Sequence, residues 1–324
     1  MTTTRNFGRL GQVSALTLGG GGIGGVWGRT NRDEAVATVH AALDAGITLL
    51  DLAPSYGSDQ EAEQVAAAAL HTRPAPDLMI ATKVGLPDDE DGDVVERLTS
   101  SLHASLNRLG RNHIDLFLLH SQLRPSGPMV ANTLAWSRYE DEVRPTMERL
   151  RDQGTIRAWG LTGVGHPQLV LDALNSDSRP DAVQVVVNAL DQSGDIWMFD
   201  GVQPRNAEIL AAANQGGSSV MAIRALAAGS LSSQVDRPVA ADHVTALDFA
   251  RAQPFRKLAA ELGESPASLA HRYALSVPGV ATVVLGVKNR TELAECVQAE
   301  ARGPLTDAEL QAVAELREAA AVRA

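Results

Sequence analysis

The sequence of 324 residues contains one cysteine, Cys296, which excludes an intramolecular disulfide framework and a thiolate-rich zinc site. A reducing compartment suits such a chain. Aromatic side chains are scarce, with 3 Tyr, 4 Trp and 5 Phe, so the core must come from aliphatic strands and alanine-rich helices. No apolar run is long enough to span a bilayer as a helix, and the polar start Met1–Asn6 lacks the apolar stretch of a secretion signal. The expected location is the cytoplasm. Basic residues are also in deficit: 28 Lys and Arg stand against 39 Asp and Glu, a formal charge of -11. That average field repels nucleic acid and anionic membrane and leaves a small molecule as the expected partner. With 44% hydrophobic and 21% charged residues, the chain is too apolar to be disordered.

What is present is alternation. Short β-branched runs are each followed by a longer amphipathic segment. A hairpin-like start over Asn6–Val13, with Gly8 and Gly11 as turn residues, leads into a strand at Ser14–Leu18. Further strands are predicted at Ile47–Leu52, Leu78–Lys83, Ile114–Leu119, Ile156–Leu161, Ala182–Val187, Ser219–Ile223 and Val280–Leu285. Helices are predicted between them, from Arg32–Ala45 to Arg290–Ala299, and Asp307–Ala320 adds one beyond the repeat. Most strands read as unbroken apolar runs, as parallel strands buried on both faces do. Gly46, Gly110, Gly154 and Gly217 close helices just before the next strand, where a left-handed cap is wanted. Eight β-then-α units fit a (β/α)8 TIM barrel, with no linker dividing residues 1–324 into more than one domain. Two connections, Ser121–Tyr139 and Arg224–Gln253, are long, leave the C-terminal ends of strands and suit a substrate lid.

The run Gly19-Gly20-Gly21-Gly22-Ile23-Gly24 satisfies the G-x-G-x-x-G fingerprint of dinucleotide-binding folds. However, the acidic residue that follows, Asp51, is about 30 residues on instead of about 20. The next helix is also separated from the glycines by 26–31. The expectation is therefore a flexible backbone loop over a ligand, not a Rossmann turn.

Polar residues stand where apolar strands stop. Asp51 ends the second strand and Tyr56 follows in its loop, within Leu49-Leu50-Asp51-Leu52-Ala53-Pro54-Ser55-Tyr56-Gly57. Lys83 ends the third strand and His120 the fourth. In a barrel these ends converge on one mouth. A tyrosine is a poor acid–base group at neutral pH unless a nearby cation stabilises its phenolate. Lys83 would supply that charge, Asp51 would hold the lysine, and His120 would orient a carbonyl. No metal-ligand cluster is visible in the sequence.

On these residues the chain resembles the aldo-keto reductase family over nearly its whole length. The family's Asp, Tyr, Lys and His tetrad maps onto Asp51, Tyr56, Lys83 and His120. Gly46–Gly57 is similar to the family's second-strand motif, and Ser105–His120 to its approach to the fourth strand end. The resemblance implies a (β/α)8 barrel that binds NAD(P)H extended, with Tyr56 as general acid in reduction and general base in oxidation. It places Gly20 and Gly21 beside the cofactor, Gln184 and Thr162 on its carboxamide, and Ile223, Arg224 and Leu226 along it. Gly163 replaces the asparagine that commonly follows Thr162, and Ile223-Arg224-Ala225-Leu226 replaces an aromatic-Ser-Pro-Leu run. Gly286, Lys288, Glu292 and Glu295 fall in the family's adenosine-phosphate segment. Lys288 and Arg290 favour NADPH there, Glu292 opposes a 2′-phosphate, and the expectation is NADP ahead of NAD.

Trp27 and Trp197 are candidate walls of the substrate pocket with Tyr56 and His120, and Ser121 replaces an aromatic common in the family. The implied reaction is hydride transfer between nicotinamide and the carbonyl of an aldehyde, ketone or aldose. Two other readings fit the same fold: an auxiliary protein that uses the nucleotide as a redox sensor, and a lyase or isomerase with Lys83 as Schiff-base lysine.

Overall fold

The computed structural model describes residues 1–86, 92–127 and 130–321. Its chain opens with a hairpin, β1 (Thr4–Asn6) against β2 (Gln12–Ser14), paired antiparallel around the turn that was read from Gly8 and Gly11. The apolar runs then form β3 (Leu16–Gly19), β4 (Leu49–Asp51), β5 (Met79–Val84) and β6 (Ile114–Leu119). After a small pair, β7 (Gln122–Arg124) and β8 (Thr133–Ala135), come β9 (Ile156–Thr162), β10 (Ala182–Val186), β11 (Ser219–Ile223) and β12 (Val280–Leu285). Without the hairpin and the small pair, the strands close into a parallel barrel in chain order, with β12 returning to β3. This is the (β/α)8 barrel expected from the repeat.

Helix starts follow from local chemistry. Asn31, Asp93 and Asn289 each cap a helix by accepting a hydrogen bond from the backbone N–H of a glutamate three residues on, Glu34, Glu96 and Glu292. Gly46, Gly110, Gly154 and Gly217 all carry positive φ, as the sequence required of helix ends.

The apolar residues are buried in two layers around the barrel and in a third cluster outside it, where Leu231, Phe255, Leu269, Leu305 and Val313 meet. Between barrel and helices lies the larger cluster, including Leu50, Ile80, Phe117, Trp159 and Val183. Inside the barrel, Phe7, Leu10 and Val13 of the hairpin pack on Leu49, Met79, Leu116 and Met221. The hairpin thus plugs the N-terminal end with hydrocarbon, and polar inward-facing side chains gather at the other end.

Register puts them there. Asp51 pairs with Ala81 across β4 and β5, and Lys83 with Leu118 across β5 and β6. Thr162 pairs with Gln184 across β9 and β10. Side chains alternate along a strand, so Asp51, Ala81 and Lys83 share the inward face, and His120 shares the inward parity of Leu118.

The long connections carry more order than expected of loops. The first holds β7, β8 and the turn Trp136–Arg138, which runs through a π-helical stretch at Tyr139–Val143 into the helix Arg144–Asp152. Pro128 and Met129 of that connection lie outside the described residues. The second holds a helix, Val244–Arg251, absent from the sequence reading. No Ser, Thr, Asp or Asn stands at its N-cap; the ring of His243 takes the part and accepts from the N–H of Thr245 at 3.1 Å. No helix among the described residues is long and apolar enough to cross a membrane.

Candidate active site

At the C-terminal end of the barrel a cavity of about 500 Å³ opens beside Asp51, Tyr56 and His120. Lys83 lies beneath them, with Nζ donating to Asp51 Oδ1 at 2.8 Å and to the carbonyl of Leu52 at 2.8 Å. The same Nζ stands 4.7 Å from the centre of the Tyr56 ring. Tyr56 and His120 meet edge to face, with centroids 5.6 Å apart. Gln184 completes the floor: its Nε2 donates to Asp51 Oδ1 at 3.0 Å, and its Oε1 accepts from Thr162 Oγ1 at 3.4 Å. The four strand-end residues singled out in the sequence are therefore brought together.

Their protonation follows from burial and charge. Burial by itself pushes the Lys83 ammonium towards neutrality, but the carboxylate of Asp51, helped by Tyr56, outweighs it and raises the pKa. Burial likewise raises the Tyr56 pKa, Lys83 pulls it down, and Asp51 pushes it up. The net direction is upward. The sequence predicts that Lys83 lowers this phenol; the lysine acts in that sense but is overruled by desolvation and by the carboxylate that anchors it. Burial first and Lys83 second hold His120 down at about 3, so its ring is neutral. A neutral imidazole with Nδ1 3.4 Å from Ser55 Oγ leaves Nε2 available as a donor or acceptor.

The glycine run is not a flexible loop. Gly20–Ile23 is a single buried helical turn, and its glycines permit close approach instead of motion. A Cβ at Gly22 would come 2.0 Å from the carbonyl oxygen of Val287, and one at Gly19 2.4 Å from that of Leu285. Gly21 makes room for Trp27, and a Cβ at Gly20 would lie 3.1 Å from the Tyr56 ring. Gly21 lines the cavity, whereas Gly20 backs Tyr56.

Trp27 lines the cavity, with two guanidinium groups over its ring, Arg224 at 5.1 Å and Arg237 at 5.5 Å from the ring centre. Arg224 sits at the end of β11 with φ 59 and pairs with Asp195 at 2.7 Å. Ile223, Leu226 and Gly286 are on the cavity wall, as are Lys288, Glu292, Glu295 and Cys296. Trp197 is not. Its indole turns to Phe199 and donates to the carbonyl of Val202 at 3.1 Å, and the neighbouring Ile196 faces the cavity instead.

Sequence reasoning missed Gln122, which lies two residues past His120 and so keeps its inward parity. Gln122 is buried on the cavity wall, with Nε2 donating to the carbonyl of Ile196 at 2.9 Å and Oε1 without a partner among the described residues. Asp195, Asp236, Arg237 and His271 were also missed, because they come from loops and a helix whose approach no local pattern records.

Comparison with known proteins gives a consistent picture. The sequence model of the Aldo/keto reductase family matches residues 15–318. L-galactose dehydrogenase of Arabidopsis thaliana is 26% identical over 295 residues, 89% of this chain and 84% of that protein. Aldo-keto reductase YhdN of Bacillus subtilis is 32% identical over 164 residues, which spans 49% of this chain and only 46% of that one. NADH-specific methylglyoxal reductase of Escherichia coli is 28% identical over 170 residues, 47% of this chain and 49% of its own. Among solved structures, the glycerol dehydrogenase AKR11B4 from Gluconobacter oxydans superimposes with TM-score 0.74 at 26% identity, covering 97% of this chain and 94% of that one.

Proposed function

The chain belongs to the aldo/keto reductase family, and on that premise we propose that it is an NAD(P)(H)-dependent oxidoreductase interconverting an aldehyde, ketone or aldose with the corresponding alcohol or lactone. One observation carries the reading: a buried Lys83–Asp51 pair is placed under the ring of a tyrosine on the wall of an open cavity, with His120 edge-on to that ring. The relatives support the class, since L-galactose dehydrogenase and glycerol dehydrogenase act on the hydroxylated substrates in their names.

The cavity suits a nicotinamide nucleotide. Gln184 and Thr162 offer amide and hydroxyl groups at its buried end, Ile223 and Leu226 offer an apolar wall, and the far end is ionic. When bound, the nicotinamide supplies or accepts a hydride. The chain's own residues manage the proton and the orientation. Lys83, fixed by Asp51 and the Leu52 carbonyl, keeps its charge at the Tyr56 ring. Tyr56, protonated at neutral pH, donates its proton as the carbonyl oxygen gains negative charge, and takes it back in the oxidative direction. His120 orients that oxygen by a hydrogen bond, and the apolar walls keep bulk water from the reacting carbon.

The test is turnover with NADH or NADPH across aldehydes, ketones and aldoses, in the parent and in Tyr56→Phe. The proposal expects reduction in the parent and its loss in the variant. Unchanged turnover in the variant removes the role given to Tyr56, and a parent inactive on every substrate with intact nucleotide binding would favour the redox-sensor reading.

A further inference from the structure

Resting on the reading above, a nucleotide whose reactive ring lies at Tyr56 must run its other half along the same cavity, away from the tetrad. The wall at that end is formed after β12 and at the start of the helix Arg290–Ala301. NADP differs from NAD there by one dianionic phosphate in place of a ribose hydroxyl, so the charges at this end decide between them.

The cations that would meet a phosphate are already engaged. The Lys288 ammonium pairs with Asp236 and, at 2.8 Å, with Glu292 Oε1, while its backbone N–H donates to Glu292 Oε2 at 2.8 Å. The Glu292 carboxylate also accepts from Asn289 Nδ2 at 3.1 Å, and its backbone N–H is fixed by the Asn289 cap at 2.9 Å. Arg290 leaves the cavity altogether: its Nη2 and Nε bind Glu34 at 2.9 and 3.1 Å, and its backbone N–H does so at 3.0 Å. Arg237 lines the cavity but gives its guanidinium to the Ala228 carbonyl at 2.9 Å and to the Trp27 face. A third carboxylate, Glu295, lines the same end and accepts from the Ser265 hydroxyl.

We infer that this chain selects NAD(H) over NADP(H), with Glu292 and Asp236 as the residues that exclude the 2′-phosphate. A phosphate arriving here must displace a carboxylate from Lys288 or stand beside Glu292 without compensation. A ribose 2′-hydroxyl is a donor that an ionised carboxylate accepts. Lys288 and Arg290, which favour NADPH in the sequence, are engaged in the fold by its own carboxylates.

The experiment is a fluorescence titration of the purified protein with NADH and, separately, with NADPH at several ionic strengths. Expected is a Kd for NADH at least about tenfold lower, the size of one uncompensated like-charge contact. NADPH affinity should hold or improve as salt rises, because salt screens a repulsion; a basic phosphate site would instead weaken. Glu292→Gln and, independently, Asp236→Asn should move the ratio of the two dissociation constants towards NADPH. Equal or tighter binding of NADPH by the parent, with affinity falling steeply in salt, overturns the inference and leaves the oxidoreductase reading standing. Binding of neither nucleotide overturns both.

Discussion

Lys83 Nζ lies 2.8 Å from Asp51 Oδ1 with side chains 0% and 2% exposed, so each is the other's charge compensation at the buried floor of the cavity. The pair is not there for stability, since a hydrophobic pair of similar volume would cost less to bury. On the function proposed above, its use is to keep an ammonium under Tyr56. Asp51→Asn removes the carboxylate that holds the lysine charged against burial. We expect it to lose at least about tenfold in kcat for carbonyl reduction and about 3 kcal/mol of stability, the cost of leaving a buried charge without its partner. Chemical denaturation and steady-state rates on the same preparation check both. An active variant of parental stability would show that the pair carries neither charge nor position to Tyr56.

Tyr56→Phe separates chemistry from binding. The phenyl ring keeps the packing against Gly20 and His120 and loses only the hydroxyl. General acid catalysis contributes about 10²–10⁴-fold, so kcat should fall by that order while the Kd for NADH changes little. Because burial holds the phenol protonated, the parent's reductive rate should fall only in alkaline solution, as the phenol loses its proton. The oxidative rate should rise over the same range, since that direction needs the phenolate. A reductive rate that falls on acidification instead would contradict the assignment.

Two buried imidazoles make the fold sensitive to acid. His120 is held at about 3 by burial and Lys83, and burial also lowers His271, whose ring hydrogen-bonds the Ala267 carbonyl at 2.8 Å. Both folded-state values lie below the unfolded one, so the unfolded chain binds more protons as pH drops. Stability contributed by the neutral rings is complete above about pH 6.5 and is lost as pH falls below it. Each ring accounts for at most about 2 kcal/mol between pH 6.5 and 5, less for His120, which is partly exposed to the cavity. Urea midpoints at the two pH values in the parent and in His271→Leu measure it, and the variant should show the shallower dependence. An identical slope would place the acid sensitivity elsewhere.

Legible in the sequence is what local pattern and strand register determine. Unbroken apolar runs gave the parallel strands, and inward parity brought Asp51, Lys83, Gln184 and His120 to one mouth. Loop geometry was not readable. Trp197 turns to Phe199 because of a turn at 194–196 that no composition signals, and Asp236 reaches Lys288 from a connection 52 residues away in sequence. Nor was the helix Val244–Arg251, which starts on an unusual histidine cap. The electrostatic balance of Tyr56 needed burial and distance together, and residue types supply neither.

The glycine turn behind the cavity gives the sharpest steric prediction. Gly22 is helical and buried with no positive φ, so alanine there is favoured by backbone propensity and opposed only by its surroundings. The surroundings are a backbone carbonyl, Val287 O, 2.0 Å from the added Cβ, and Val287 is followed by Lys288 and the helix cap Asn289. A backbone atom cannot rotate aside as a side chain can. Gly22→Ala should therefore push the strand end and the Lys288–Glu292 pair away from the cavity, costing about 2–3 kcal/mol, the range of overpacked sites. Nucleotide affinity should fall with it. Gly110→Ala is the contrast: no atom lies within 4 Å of its Cβ, and its φ of 62 alone sets the penalty at about 1 kcal/mol with nucleotide binding untouched. Thermal melts and NADH titrations of the two variants decide it. Equal stability losses with equal affinities would show that the glycine turn is not held against the strand end as the distances indicate.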